Sequence, residues 1–134
     1  MTAARALPRL TSENRFFWTS GRDAVLRFLR CEACQSFVHP PRPICPNCLS
    51  EALAPAEVPG SGIVASYTIN RQKWHPVLEL PYVIARIAID GAPGVILTSN
   101  IVNCEPESVE IGDRVRVVFE QQEDVWFPLF EKTS

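Results

Sequence analysis

Four cysteines carry the clearest chemical signal in this sequence of 134 residues, because they form two C-x-x-C pairs separated by ten residues: Cys31, Cys34, Cys45 and Cys48. Two such pairs are the usual layout of a structural zinc site, in which each tight turn brings two thiolates to one tetrahedral ion. All four ligands then come from the protein, so no coordination position is left for a substrate or an activated water. We therefore predict one structural zinc ion per chain.

Two other interpretations of the cysteines stay open from the sequence. The cysteines could form two disulfides, which is disfavoured because no secretory segment precedes them, or the ribbon could have kept its fold without its metal. His39 lies between the pairs, but four cysteines already fill a tetrahedral site, so we interpret it as a surface or turn residue. Cys104 has no neighbouring His or Lys and is interpreted as a small buried hydrophobic residue.

A second group of chemically versatile side chains lies in the segment 70–81, between two predicted strands. It contains Arg71, Lys73, Trp74 and His75, a basic and aromatic cluster in an acidic half of the chain. Loops held on a rigid scaffold often carry recognition groups. The alternative is a solvated loop with Trp74 folded back onto the protein.

A short helix is predicted ahead of the cysteines. Thr11 and the residues after it provide a cap and an acidic first turn, and Gly21 is a natural stop. About two turns of helix cannot hold three consecutive aromatic residues without packing partners, and these three are predicted to form a partner interface: Phe16, Phe17 and Trp18. The first ten residues, with two Arg and no acid, are interpreted as a loose arm.

The remaining pattern is that of a mainly β protein. Residues 24–30 alternate as a strand leading into the first cysteine pair, residues 50–59 are interpreted as a linker, and five strand-like runs follow. Five strands in under eighty residues favour a small closed barrel of the OB type. The predicted fold is thus a short N-terminal helix, a rubredoxin-like zinc ribbon and a five-stranded OB-fold barrel. The predicted divisions are residues 1–30 (arm, helix and strand), 31–55 (zinc ribbon) and 56–134 (OB-fold domain).

Charge and composition limit the function classes. Residues 1–56 have a net charge of +3 and residues 57–134 a net charge of −5, so the predicted barrel is acidic and nucleic acid is an unfavourable ligand. No run of about 18 apolar residues is present, so no membrane partner is expected. Free-thiol usage fits a cytoplasmic protein.

Several motifs together resemble a known family. They are the paired cysteines with Pro-Pro-Arg-Pro-Ile-Cys-Pro between them, Gly-Ser-Gly-Ile-Val-Ala-Ser-Tyr-Thr at the barrel entry, Leu-Pro-Tyr-Val-Ile-Ala, and Ile-Gly-Asp-Arg-Val. The sequence resembles, over roughly residues 12–130, the zinc-ribbon plus OB-fold proteins of domain of unknown function 35, an acyl-CoA-associated family.

The resemblance implies a non-catalytic partner subunit of a thiolase-like or aldolase-type acyl-CoA enzyme, including enzymes of steroid side-chain degradation. It implies a hetero-oligomer, expected to be two plus two. If the ligand is a CoA thioester, the basic and aromatic cluster of residues 71 and 73–75 is predicted to contact the acyl-CoA or the partner, because it supplies positive charge for phosphates in an otherwise acidic half of the chain. Two other functions stay open. One is an OB-fold nucleic-acid-binding module, and the other is a stand-alone acyl-CoA-binding or hydratase-like protein that uses His75.

Overall fold

The computed structural model of the chain describes residues 5–72 and 80–133. One α-helix, α1 (Arg15–Thr19), continues as a 3-10 helix over Ser20–Asp23. The described strands are β1 (Leu26–Cys31), β2 (Phe37–Val38), β3 (Leu53–Val58), β4 (Ser61–Asn70), β5 (Tyr82–Ile89), β6 (Ile96–Val102), β7 (Arg114–Gln122) and β8 (Val125–Lys132). Within the described ranges, no helix is long and apolar enough to cross a membrane.

The N-terminal helix is shorter than predicted. Thr11 and Asn14 form a closed turn ahead of it, in which the Thr11 N–H donates to Asn14 Oδ1 (2.8 Å) and the Asn14 N–H donates to Thr11 Oγ1 (3.2 Å). Gly21, the predicted stop, lies in the 3-10 helix against Trp126 of β8. A Cβ at residue 21 would collide with the Trp126 side chain, so glycine permits this close approach.

The first sheet has three antiparallel strands in the order β2-β1-β3. Residues 50–59 were predicted to be a linker, and this prediction is wrong for β3. This strand pairs with β1, and the paired residues run from Leu26 opposite Val58 to Cys31 opposite Leu53. Pro55 suggested irregular structure for this segment. However, β3 is an edge strand, where the missing backbone N–H of Pro55 is tolerated. The domain divisions at residues 30 and 55 stay a prediction; β1 and β3 each extend across one of them.

The second sheet is a closed five-stranded barrel in the order β4-β5-β6-β8-β7, which confirms the predicted fold class. Neighbouring strands pair antiparallel except for β6 and β8, which are parallel. Their pairing is limited to Ile101 opposite Phe130 and Val102 opposite Glu131. In β5 the buried residues alternate with more exposed ones, so one face of the strand fills the barrel interior.

One hydrophobic core joins the base of the ribbon sheet to the barrel. Leu26 and Phe28 of β1 and Val58 of β3 are buried in the same cluster as Val64 and Phe130 of the barrel. A smaller cluster lies at the ribbon tip, which we define as residues 29–50: Leu29, Cys31, Val38 and Cys45. β1 is therefore anchored in the barrel core near its first residue and ends in Cys31 at the ribbon tip.

The prediction of a loose N-terminal arm is wrong at Arg5. Its backbone N–H donates to Gln122 Oε1 (2.7 Å) and its carbonyl accepts from Gln122 Nε2 (2.7 Å). These contacts join positions 117 residues apart in the chain, so the local composition of the arm could not reveal them.

Candidate metal centre and partner surfaces

Both cysteine pairs adopt the same local backbone structure. In the first, the Cys31 N–H donates to the Ser36 carbonyl (2.7 Å) and the Gln35 N–H donates to the Cys31 carbonyl (2.9 Å). In the second, Cys45 N–H donates to the Ser50 carbonyl and Leu49 N–H to the Cys45 carbonyl, each at 2.9 Å. The sequence therefore builds two equivalent knuckles, each presenting two sulfurs from one tight turn.

Each knuckle turns through a left-handed residue directly after its second cysteine. Gln35 has φ +70° and Leu49 has φ +65°. This conformation favours glycine and costs about 1–2 kcal/mol for a residue with a Cβ. Other interactions in each knuckle must therefore offset this cost. Both turns have one feature in common, which is that they bring two sulfurs together.

The four sulfurs are arranged to bind one ion. All lie within 4.8 Å of one another, with Cys31 Sγ 3.5 Å from Cys48 Sγ and Cys34 Sγ 3.6 Å from Cys45 Sγ. A tetrahedral zinc site with Zn–S bonds of about 2.3 Å places sulfurs about 3.8 Å apart. The four cysteines are not paired as disulfides. The geometry fits one zinc ion held by four thiolates.

Hydrogen bonds prepare two of the sulfurs as thiolates. The Cys34 backbone N–H is the largest influence lowering the pKa of Cys31. The Ser36 hydroxyl, 3.2 Å from Cys34 Sγ, is the largest influence lowering the pKa of Cys34, to about 6. Asn47 Nδ2 donates to Ser36 Oγ (2.8 Å), and once Cys34 is deprotonated the Ser36 hydroxyl is free to donate its own proton to the sulfur. Metal binding requires deprotonated thiols, so this network favours it.

The pKa of Cys48 shows why a cation is favoured at the centre of the four sulfurs. The Ser50 backbone N–H lowers the pKa of Cys48, but the Cys31 side chain, burial and the other two cysteines together outweigh it and raise this pKa to about 12. Negative sulfurs this close repel one another, and a divalent cation at the centre removes the repulsion. Sequence reasoning missed Ser36 and Asn47 as supporting residues, although each lies within two positions of a ligand.

The helix aromatics predicted as a partner interface are largely covered by this chain. Phe17 is only 5% exposed and packs against Phe28 and His39. Trp18 is half-buried and contacts Phe127 of β8 edge-on, with ring centroids 5.7 Å apart. Phe16 is also half-buried. The interface stays a prediction, and its remaining accessible surface belongs to Phe16 and Trp18.

Of the four predicted recognition residues after β4, only Arg71 is described. Its guanidinium donates to Glu107 Oε1 (3.0 Å), and both side chains are more than half exposed. This ion pair lowers the pKa of Glu107. Such an exposed pair contributes little free energy and can exchange for another anion. Lys73, Trp74 and His75 lie outside the described residues.

His39 and Cys104 differ from their predicted environments. His39 was interpreted as a surface or turn residue, but its ring is half-buried between Phe17 and Phe28, with centroid distances of 5.2 and 5.0 Å. Burial lowers the pKa of His39, and its Nδ1 is buried without a hydrogen bond among the described residues. Cys104 is half-buried against the barrel core.

A ribbon with four converging thiolates, joined to an OB barrel, defines the class of protein. The family model for the ChsH2 rubredoxin-like zinc ribbon domain matches residues 18–54, and that for the ChsH2 C-terminal OB-fold domain matches residues 56–120. The chain belongs to this zinc-ribbon and OB-fold family, known as DUF35, which confirms the resemblance and the predicted zinc cofactor.

Curated relatives come from bacteria and archaea. A "DUF35 domain-containing scaffold protein" of Methanothermobacter thermautotrophicus is 35% identical over 67% of this chain and 68% of its own length. A "Probable enoyl-CoA hydratase alpha subunit" of Thermomonospora curvata is 36% identical over 82% of this chain. The chain spans about a third of the length of that second relative (34%).

Two solved structures share the fold. A chain described as "Ltp2-ChsH2(DUF35) aldolase" superimposes with a TM-score of 0.85 and 31% identity, covering 94% of this chain and 98% of that one. A DUF35 protein of unknown function from Sulfolobus solfataricus gives a TM-score of 0.61 over 87% of this chain and 82% of that one; at 19% identity it supports the fold alone.

Proposed function

We propose that the chain is a non-catalytic accessory subunit of a thiolase-superfamily acyl-CoA enzyme, a thiolase or a retro-aldolase. The observation that carries the proposal is the match along nearly the whole of both chains to the structure described as an Ltp2-ChsH2(DUF35) aldolase. The word "scaffold" in the names of two archaeal relatives favours a non-catalytic, structural role. The proposed assembly is two copies with a partner dimer, acting in steroid side-chain degradation.

The metal centre supports this division of labour. Its four protein ligands saturate a tetrahedral ion, so the site stabilises structure and supplies no activated water. In the proposed complex the chain stabilises the partner and shapes its acyl-CoA site, while the partner supplies the reacting groups.

The first experiment identifies the partner and tests its dependence on this chain. The full chain, tagged and expressed in its native host, is expected to co-purify with a thiolase-fold protein in equal amounts. Reconstituted from separate subunits, the partner is expected to gain soluble yield and acyl-CoA turnover when this chain is added. A thiolase-fold partner whose solubility and rate are unchanged by the chain would contradict the proposal.

The segment after β4 is proposed to approach the partner's acyl-CoA site. Arg71 and Lys73 would supply positive charge for the phosphates of CoA, and Trp74 and His75 an apolar face and a hydrogen bond. The double variant Arg71→Ala, Lys73→Ala is expected to raise the KM of the complex for acyl-CoA about 10- to 100-fold, as expected for one phosphate contact.

Glu107→Gln is the matched control for that experiment. It removes the carboxylate that pairs with Arg71 and leaves the guanidinium in place. Its KM is expected to stay equal or fall, because Arg71 then has no competing anion nearby. An unchanged KM in the double variant, with assembly intact, would mean that this segment is only a connection between strands.

A stand-alone hydratase-like function is the second candidate, and the name of the Thermomonospora relative favours it. The two functions differ in one measurement. Acyl-CoA hydration by the isolated chain, lost on His75→Ala, would support the hydratase, whereas the subunit is expected to show no turnover alone.

The nucleic-acid-binding alternative is disfavoured by the barrel's ion pairs. Three basic side chains of the barrel already face carboxylates of the same chain that are at least two-thirds buried: Arg114 with Asp90, Arg116 with Glu131 and Lys132 with Asp113. Phosphates would have to displace these partners. Single-strand binding with a steep salt dependence would reverse this assessment.

A further inference from the structure

The barrel is held together differently between β6 and β8 than elsewhere. Backbone pairing there covers two residues of each strand, and beyond it side chains bridge the gap. Ser99 Oγ of β6 donates to the Pro128 carbonyl of β8 (2.6 Å). Pro128 has no N–H to offer a neighbouring strand, so the backbone ladder could not continue through it. We call this part of the barrel the β6–β8 seam.

Arg5 of the N-terminal arm lies across the β6–β8 seam. Its Nη1 donates to Asn100 Oδ1 of β6 (2.8 Å), and its buried Nε forms an ion pair with the Glu120 carboxylate of β7 at 3.5 Å, without a hydrogen bond in the described part of the chain. Its guanidinium carbon is 5.7 Å from the centre of the Phe127 ring of β8. The Gln122 amide clamps the backbone of Arg5 with two hydrogen bonds, both 2.7 Å.

These contacts select an arginine side chain together with its own peptide backbone. An amide oxygen, a carboxylate and an aromatic face address the guanidinium, and the Gln122 amide addresses the peptide backbone. A lysine ammonium has no planar face to lay over Phe127. Arg5 and Glu120 are each only 20% exposed, whereas Arg71 and Glu107 are more than half exposed, so the Arg5 pair is less screened by solvent.

We propose that the β6–β8 seam is an arginine-recognition site, and that the N-terminal arm is its ligand, bound within the same chain. The site lies on β6 and at the end of β7, beside the turn to β8. OB folds bind ligands on their second and third strands and on the loop before their last strand, so the arm occupies part of that surface. Any other ligand of this surface must displace Arg5.

Charge supports the arm as the occupant. The first ten residues contain Arg5 and Arg9 and no acid, whereas residues 57–134 have a net charge of −5. A basic segment is attracted to such a surface, and being in the same chain it is always at high effective concentration.

The test uses the full chain with Arg5→Ala, and Arg9→Ala as the matched control. Arg9 is exposed, belongs to the same arm and has the same charge. Arg5→Ala is expected to speed amide hydrogen exchange of the β6 residues about tenfold, as expected for losing roughly 1.4 kcal/mol of interaction. Arg9→Ala is expected to leave it unchanged. Equal exchange in the two variants would overturn the proposal.

Binding of a peptide in trans distinguishes a recognition site from simple packing. The probe is acetyl-Ala-Arg-Ala-Leu-amide, which carries the sequence of residues 4–7, with the Ala-Lys-Ala-Leu peptide as control. The arginine peptide is expected to bind the Arg5→Ala chain, to restore slow exchange in β6, and to bind more weakly after a further Glu120→Gln. If the arginine peptide binds no better than the lysine peptide, the site does not recognise arginine and the proposal fails.

Discussion

The ribbon tip and the barrel lie at opposite ends of β1, and their interiors differ in kind. The barrel shares a cluster of sixteen buried residues among those described, whereas the buried cluster of the ribbon tip has four, two of which are the metal ligands Cys31 and Cys45. About twenty residues cannot bury enough apolar surface to hold two strained turns. The comparison indicates that the metal replaces the core that the ribbon tip is too small to form.

Removing the metal should give the largest effect and separate the two regions. Zinc contributes up to about 10–16 kcal/mol in small zinc domains, so chelation or Cys45→Ser is expected to unfold residues 29–50 while the barrel strands stay protected. Amide hydrogen exchange, with elemental analysis for one zinc per chain, measures this. Cys104→Ser is the control, since Cys104 lies outside the sulfur cluster. A ribbon tip that stays protected without metal would contradict the comparison.

Substitutions at two neighbouring residues of β1 should destabilise the barrel core and the ribbon tip separately. Phe28 is fully buried in the core shared with the barrel, whereas Leu29 is buried at the ribbon tip. Phe28→Ala is expected to cost about 3–5 kcal/mol and Leu29→Ala about 2–5 kcal/mol. Hydrogen exchange should accelerate throughout the barrel in Phe28→Ala and only at the ribbon tip in Leu29→Ala. The same pattern for both variants would show that the two clusters are one.

The smallest expected effect is a dependence on pH from His39, which lies where the helix meets the ribbon. Burial lowers its pKa in the folded protein, so below about 6.5 the unfolded chain binds more protons and the free energy of unfolding falls with falling pH. One group gives a slope of less than about 1.4 kcal/mol per pH unit.

Urea unfolding between pH 7.5 and 5.5 measures this slope, with zinc content checked at each pH. His39→Phe fills the same aromatic gap without titrating and should flatten the curve. Equal slopes for the two proteins over this range would assign the pH dependence to other groups.

The sequence predicts the parts of the molecule that depend on local spacing. Cysteines three residues apart specify a knuckle, and alternation over eight residues specifies a strand such as β5, because both patterns are read within one element. The parts that were missed depend on distant partners. β3 is a strand because β1 offers it an edge, and Arg5 is fixed by residues about a hundred positions away.

The aromatic helix shows the same limit on a smaller scale. Phe16, Phe17 and Trp18 are equally apolar, and which one faces inward depends on how α1 lies on β1 and β8. Phe17 is directed at Phe28, and its neighbours keep part of their surface accessible. The left-handed Gln35 and Leu49 were not predictable either, since neither residue type marks such a turn.

The connection between β3 and β4 is only two residues long, and its length affects how the ribbon is attached to the barrel. Val58 is in the shared core, β4 begins at Ser61, and the intervening Pro59 and Gly60 pack close to Gly91 and Val117 of the barrel. Because this connection is short and closely packed, we expect the ribbon tip to keep a fixed orientation on the barrel. A protein that touches both the tip and the barrel therefore meets one preset shape, and its binding does not lose free energy to freezing the motion of two lobes.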